Sequence, residues 1–184
     1  MSAAAETSPS EEMRSKLNHP ELDRDGHFIE FMPYYMDFVE EVGGAPMVET
    51  FRQNRIGEIR MSPSEWHNMS REQRQHQLRW RRPFYALPTK LVQDRATSMF
   101  PRLLYRRMDE LGVDFSVLYP TLGLDMLFIK NDEVRQAACR ALNKMNANVW
   151  AEFSDWMAPV AAIPTTTPDE GVAELDYAIG ELGL

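Results

Sequence analysis

Residues 101–120, PRLLYRRMDELGVDFSVLYP, turn from helix to strand within one short span. Leu104, Met108 and Leu111 fall at i, i+4 and i+7, the spacing of one helical face, and Gly112 stands where a helix C-cap belongs. Asp114–Tyr119 is a short aromatic and β-branched run closed by Pro120, which reads as a strand. Working toward the C-terminus, Asp132–Trp156 places Val134, Ala138, Ala141, Met145 and Val149 at helical spacing. Pro159–Ile163 (PVAAI) is a second apolar run of strand length. Thr167-Pro168-Asp169-Glu170 then forms a capping box with proline at the first helical position. The helix it opens carries Val172, Leu175, Ile179 and Leu182 on one face and meets Gly183 at its end. Helix, strand, helix, strand, helix with apolar strands is the pattern of parallel βα units. An open doubly wound sheet and a closed (β/α)₈ barrel both satisfy it.

Toward the N-terminus the signal thins. Residues 47–100 are irregular, broken by Pro63, Pro83 and Pro88, with a candidate helix start at Ser62-Pro63-Ser64-Glu65. Residues 34–42 space their apolar groups like a short helix that Gly43-Gly44 and Pro46 end. Residues 19–31 are a short mixed segment. Residues 1–18 lack apolar periodicity and read as a disordered tail.

Composition narrows the function classes. Acids outnumber bases 28 to 20, a net charge of −8, which argues against wholesale binding to nucleic acid or anionic lipid. A single cysteine, Cys139, leaves no internal disulfide framework and fits a reducing compartment. No apolar run approaches the roughly 20 residues of a spanning helix, and residues 1–12 lack the features of a signal peptide. A soluble cytoplasmic protein is the expectation. The charge is uneven: residues 52–82 carry eight arginines against three acids, interleaved with Trp66, His67, His76 and Trp80. Such a block suits phosphate, but arginines pairing with the acidic segments elsewhere is the simpler reading.

The titratable groups concentrate in Asp23-Arg24-Asp25-Gly26-His27-Phe28-Ile29-Glu30. If this segment is extended, period 2 places Asp23, Asp25 and His27 on one face. A carboxylate and an imidazole two residues apart can ligate one divalent ion, at about 2.0–2.2 Å each. An Asp-Gly turn beside a solvated histidine is the competing account. On a helix, His27 and Glu30 would instead share a face as an i, i+3 pair. Tyr119-Pro120-Thr121-Leu122-Gly123 leaves a strand's C-terminal end, the functional rim of βα architectures, or else simply terminates that strand. His67 and His76 have no ligand spacing, His19 reads as exposed, and Cys139 among alanines reads as a packed thiol. Met32 and Met36 read as core.

Four segments carry a family resemblance as a set: LDRDGHFIEF (22–31), LGVDFSVLYPTLGL (111–124), RALNKMNANVW (140–150) and PVAAIPTTTPDEGVAELDYAIGELGL (159–184). They resemble the amidohydrolase-related family, in the branch typified by aminocarboxymuconate semialdehyde decarboxylase and resorcylate-type decarboxylases. The likeness covers roughly residues 20–31 and 94–184. It implies the N-terminal part of a metal-dependent (β/α)₈ TIM barrel, with residues 19–184 as the partial barrel domain and 47–93 as an irregular helical insert after the first strand. Asp25 and His27 match the family's first-strand acid-x-His pair, with zinc, or in some relatives manganese, as the implied metal. Beside these ligands Glu30 is expected as a carboxylate that orients a ligand, and Tyr119 and Thr121, from their place at the strand's C-terminal rim, as candidates for orienting a ligand or touching substrate. Relatives draw further histidines from middle strands and an aspartate from the last strand. Those strands are expected beyond Leu184; neither His67, His76 nor Asp125 replaces them.

The implied function is hydrolysis or decarboxylation of a small carbonyl or carboxylate compound, by an enzyme whose site this chain holds only in part. The implied partners are that substrate and further copies of the chain, with no nucleic acid and no membrane. A non-catalytic, truncated βα domain that self-associates or binds a protein is the alternative.

Overall fold

The computed structural model describes residues 7–54, 68–73 and 91–184. It is a mixed α/β structure around a small parallel sheet, in the strand order β1-β2-β3. Strand β1 is Leu22–Phe28, β2 is Phe115–Pro120 and β3 is Met157–Pro159. Helix α1 (Pro9–Arg14) precedes β1, and α2 (Met32–Asn54), α3 (Val92–Thr97) and α4 (Pro101–Leu111) stand between β1 and β2. A single turn, α5 (Gly123–Met126), and the long α6 (Asp132–Trp150) join β2 to β3, and α7 (Pro168–Gly180) follows. Among the described residues no helix is long and apolar enough to cross a membrane.

The helix-to-strand span at 101–120 forms as its spacing predicts. Pro101 opens α4, and Gly112 ends it at φ 75°, its N–H reaching Met108 and Asp109 carbonyls. This left-handed conformation costs glycine nothing. β2 then alternates buried Ser116, Leu118 and Pro120 with half-buried Phe115, Val117 and Tyr119. Its buried face meets the helices. Phe28 and Leu118 join Tyr35, Val39 and Phe51 of α2 and Leu142, Met145 and Trp150 of α6 in one apolar core. Burying side chains of this size is worth about 1.5–3 kcal/mol each.

β1 is held beside β2 although its sequence is polar. His27 lies opposite Tyr119 and Gly26 opposite Leu118, but Asp23 lies opposite Ser116, so the register slips between Asp23 and Gly26. A bulge of this kind puts an extra residue in one strand and changes which side chains share a face. Gly26 is required there: a Cβ would come within 2.3 Å of Ser116 Oγ and 2.8 Å of Asp23 Oδ2.

Five expectations are corrected. Residues 8–18 do not form a plain disordered tail: Ser8 and Glu11 make a capping box, Ser8 Oγ donates to the Glu110 carbonyl and Arg14 pairs with Asp114, docking α1 on α4. The helix expected at 34–42 extends to Asn54, with a break at Gly44 (φ 68°) just before Pro46, so 47–53 are helical rather than irregular. Val92–Thr97 is helical too. Helix α6 stops at Trp150 instead of 156, tightening into a 3₁₀ turn at Ala151–Phe153 that tucks in Phe153 and lets Ser116 N–H reach the Trp156 carbonyl at 2.9 Å. β3 starts two residues earlier than expected, and its ladder ends at Val160, whose N–H bonds the Leu118 carbonyl at 2.9 Å. Beyond it, the Asn143 side chain takes both backbone groups of Ala162, at 2.7 and 3.0 Å, in place of a strand. The expected helix start at Pro63 and the cluster of Trp66, His67, His76, Trp80 and most of its arginines lie outside the described residues.

Candidate functional site

The two faces of the sheet differ. Gly26 and Phe28 of β1 point with Ser116 and Leu118 toward the helices, so His27 and its register partner Tyr119 belong to the opposite face. Asp25 shares that face: its Oδ1 lies 3.9 Å from His27 Nε2, with Asp25 almost fully exposed and the His27 side chain 23% exposed. The Tyr119 ring sits beside the imidazole, with centroids 5.8 Å apart. The structure therefore brings Asp25, His27 and Tyr119 together.

Asp23 is not with them. The bulge turns it to the helix side, where its Oδ2 accepts from Ser116 Oγ at 3.1 Å and its Oδ1 from the Asp25 N–H at 3.1 Å. The expected three-residue face is thus a pair.

Glu30 is 2% exposed. Its Oε2 accepts from Leu122 N–H at 2.8 Å and its Oε1 from Gly123 N–H at 2.7 Å, so the carboxylate grips the turn that leaves β2. Burial pushes its pKa up to about 7, against the pull of those amides. A carboxyl that changes charge near neutrality at the rim of a βα structure is a feature of working sites. Thr121, in the same turn, is 3% exposed, and its hydroxyl meets no partner among the described residues. Tyr119, Thr121 and Glu30 thus all border the C-terminal ends of β1 and β2, as expected of rim residues, with Glu30 bracing the turn.

The remaining candidates settle as packing or surface groups. Cys139 is fully buried and its thiol is pushed up to about 12 by that burial, which removes thiolate chemistry. His19 is exposed, its Nδ1 3.1 Å from the Pro20 carbonyl. Met32 and Met36 pack against the core as read. Sequence reading passed over Trp150. This residue is 2% exposed, holds Phe28 edge-on at 5.4 Å, and has an indole N–H with no acceptor among the described residues. A tryptophan at the end of an apolar helix stripe carries no pattern that marks it as more than core.

As a metal site the Asp25–His27 pair fits in part. Two donors at about 2.1 Å from one ion stand roughly 3.4 Å apart across a tetrahedral angle, so the 3.9 Å separation closes with a small side-chain rotation. Among the described residues no group of three or more His, Cys, Asp or Glu is placed to hold a metal. The pair offers two donor atoms, short of a whole site.

Comparison with models of protein families, with curated proteins and with solved structures finds no match for this chain.

Proposed function

We propose that this chain forms the first βα units of a metal-dependent (β/α)₈ barrel of the amidohydrolase-related kind, acting on a small carbonyl or carboxylate compound. Asp25 and His27 would be the first-strand ligands of a divalent ion, zinc by preference and manganese as the second choice. The observation that carries this reading is the pairing of Asp25 with His27 on the face of β1 turned away from the core, beside Tyr119. In a barrel that face is the interior, and chemistry gathers where strands end at their C-termini.

A bound ion would supply a Lewis acid that polarises a substrate oxygen and lowers the pKa of water. The chain's own residues would do the rest. Tyr119 presents a phenol that can donate to a substrate oxygen. Glu30 fixes the β2 turn, and with it the hydroxyl of Thr121, at the rim. Hydrolysis and decarboxylation place the same demand on these groups, orientation of a polarised carbonyl or carboxylate, so the reading stops at that class. Further ligands have to come from outside the described residues.

Metal analysis of the protein purified at its natural length tests the assignment. Asp25→Ala and His27→Ala are each expected to lose the metal and the activity while keeping the wild-type far-ultraviolet circular dichroism. Unchanged metal stoichiometry in either variant overturns it.

A second reading has its own observation. Helix α7 turns Val172, Leu175 and Ile179 outward, 45–60% exposed, while burying Glu170 and Glu174. An apolar stripe of this kind suits a chain that acts by associating with another rather than by catalysis.

A further inference from the structure

Val172, Leu175 and Ile179 follow one another along α7 at steps of three and four residues, and Leu182 continues the alternation just past the helix end. This is the seam of a coiled coil, with β-branched residues at the a positions and leucine at the d positions, a combination that favours pairing with one other helix. The seam is bare. Val172, Leu175 and Ile179 are exposed, while the buried side of α7 is Glu170, Glu174 and Ala178. A free helix of 13 residues is marginal in water. Here α7 is already held, by its capping box and by Arg135 and Arg140 of α6, which bind Glu170 and Glu174. Only the partner has ordering left to do.

Charge says which helix fits. Asp169 and Asp176 flank the seam on one side, both exposed and neither in an ion pair among the described residues. In heptad terms they are e positions, where charges choose the partner. Gly171 and Ala178 on the other flank carry no charge. Residues 150–184 hold seven acids and no base, and the two arginines that pair with α7 are spent on its buried side. A second copy packed antiparallel would set these aspartates against their own kind, and one packed parallel would offer them nothing to pair with. A helix with its own apolar seam and lysine or arginine beside it satisfies both demands.

We propose, on the associating reading given above, that the outward face of α7 docks an amphipathic helix of another protein, apolar at its a and d positions and basic at the positions flanking them. The recognition is that of a helix laid along an apolar stripe, with charge setting the choice of partner.

The test is fluorescence anisotropy of three labelled three-heptad peptides titrated with the 184-residue chain at low salt. The first has isoleucine and leucine at a and d and lysine at e and g. The second carries glutamate in place of the lysines, and the third keeps the lysines but has glutamine at a and d. The first is expected to saturate and to bind about tenfold tighter than the second, because facing ion pairs replace repulsions. The third should not saturate. Salt at 1 M should erase the preference for lysine over glutamate. Asp169→Lys with Asp176→Lys should reverse that preference, and Val172→Gln with Ile179→Gln should lose both apolar peptides, each with unchanged far-ultraviolet circular dichroism. Should either double variant lose helix, the lysine-to-glutamate ratio in the wild-type chain and its disappearance in salt decide alone. Equal binding of the first two peptides, no reversal in the folded charge variant, or binding of the third as tight as the first overturns the proposal. Copies that associate through the stripe while no peptide binds also overturn it, yet leave the associating reading standing. A chain that binds no peptide and stays monomeric at every salt concentration removes both.

Discussion

Glu30 is where a single side chain has the most to say about pH. In the unfolded chain it titrates near its ordinary value of 4.5, and burial raises it to about 7 in the fold. Below pH 4.5 both states hold the proton and the group is neutral in the balance. Between 4.5 and 7 the unfolded state ionises while the folded state does not, so stability falls as pH rises, and above 7 it levels off. The shift corresponds to a loss of about 3 kcal/mol across that window. Glu30→Gln keeps one acceptor for the Leu122 and Gly123 amides but cannot titrate. Urea unfolding of both forms from pH 4.5 to 8 should therefore show wild type ahead at the acid end and its lead narrowing by about 3 kcal/mol. A constant gap between the two would show that the buried carboxyl does not titrate as stated. Residue by residue, the sequence is a fair guide to chemistry and a poor one to partners. Asp25 and His27 are legible as a pair because period 2 survives between them; Asp23 is not, because a bulge before Gly26 resets the alternation and leaves no mark in the residue types. Glu30 between Ile29 and Phe31 carries a signal that reads only in hindsight: an acid set among large apolar neighbours needs amides to hold it.

Helix α7 gives the corresponding argument at the scale of an element. Its capping box is legible and forms, with the Thr167 hydroxyl accepting from Glu170 N–H and the Glu170 side chain accepting from Thr167 N–H. Its apolar stripe is legible too, yet it does not face α6. The buried side is Glu170, Glu174 and Ala178. Arg135, 2% exposed, bonds Glu170 Oε2 at 2.8 Å; Arg140 bonds Glu174 at 2.7 Å and lies over the Tyr177 ring, 3.7 Å from its centroid. Asn143 adds a bond to Glu174 at 2.8 Å. Helical spacing identifies faces but does not say which one is buried, and here the arginines of α6 decide it. Burial pushes the Glu170 pKa upward, but Arg135 and the Thr166 and Thr167 amides outweigh it and hold the carboxyl at about 2. A depressed acid contributes stability that is complete above its unfolded value of 4.5 and is lost as pH falls from there toward 2. Glu170→Gln leaves Arg135 its bonds to Asp132 and the Ile129 carbonyl but removes its buried counter-charge. Removing one member of such a pair costs about 3 kcal/mol. Thermal unfolding at pH 7 should show that loss, and the difference between variant and wild type should shrink as the pH is taken from 4.5 to 2.5. A variant as stable as wild type at pH 7 would mean that Arg135 finds an equivalent partner elsewhere.

For the whole molecule, the order of βα units was readable because caps, proline stops and apolar spacing agree across 101–184, while the closure of the sheet was not, since strand pairing beyond β3 depends on distant residues. The described sheet has three strands, and neither β1 nor β3 has an outer neighbour among the described residues. Val172, at 58% exposure, and Ile179, at 60%, lie on the outward face of α7 two turns apart. Apolar area and open strand edges together favour association. Charge opposes it between identical copies: residues 150–184 carry seven acids and no base, so two α7 faces repel at low ionic strength. These terms have different ranges. Salt screens the repulsion, shortening its reach from about 30 Å at 0.01 M to about 3 Å at 1 M, and leaves the apolar term in place. The 184-residue chain should therefore sediment as a monomer in dilute buffer and shift to larger species as salt is raised. Replacing Val172 and Ile179 with lysine removes the apolar anchor but also lowers the acidic repulsion. Loss of association in that double variant would assign the contact to the stripe, and persistence would assign it to the strand edges. A wild-type chain that stays monomeric at every salt concentration and unfolds cooperatively would show that α7 tolerates water on its apolar face, and the associating reading would fall.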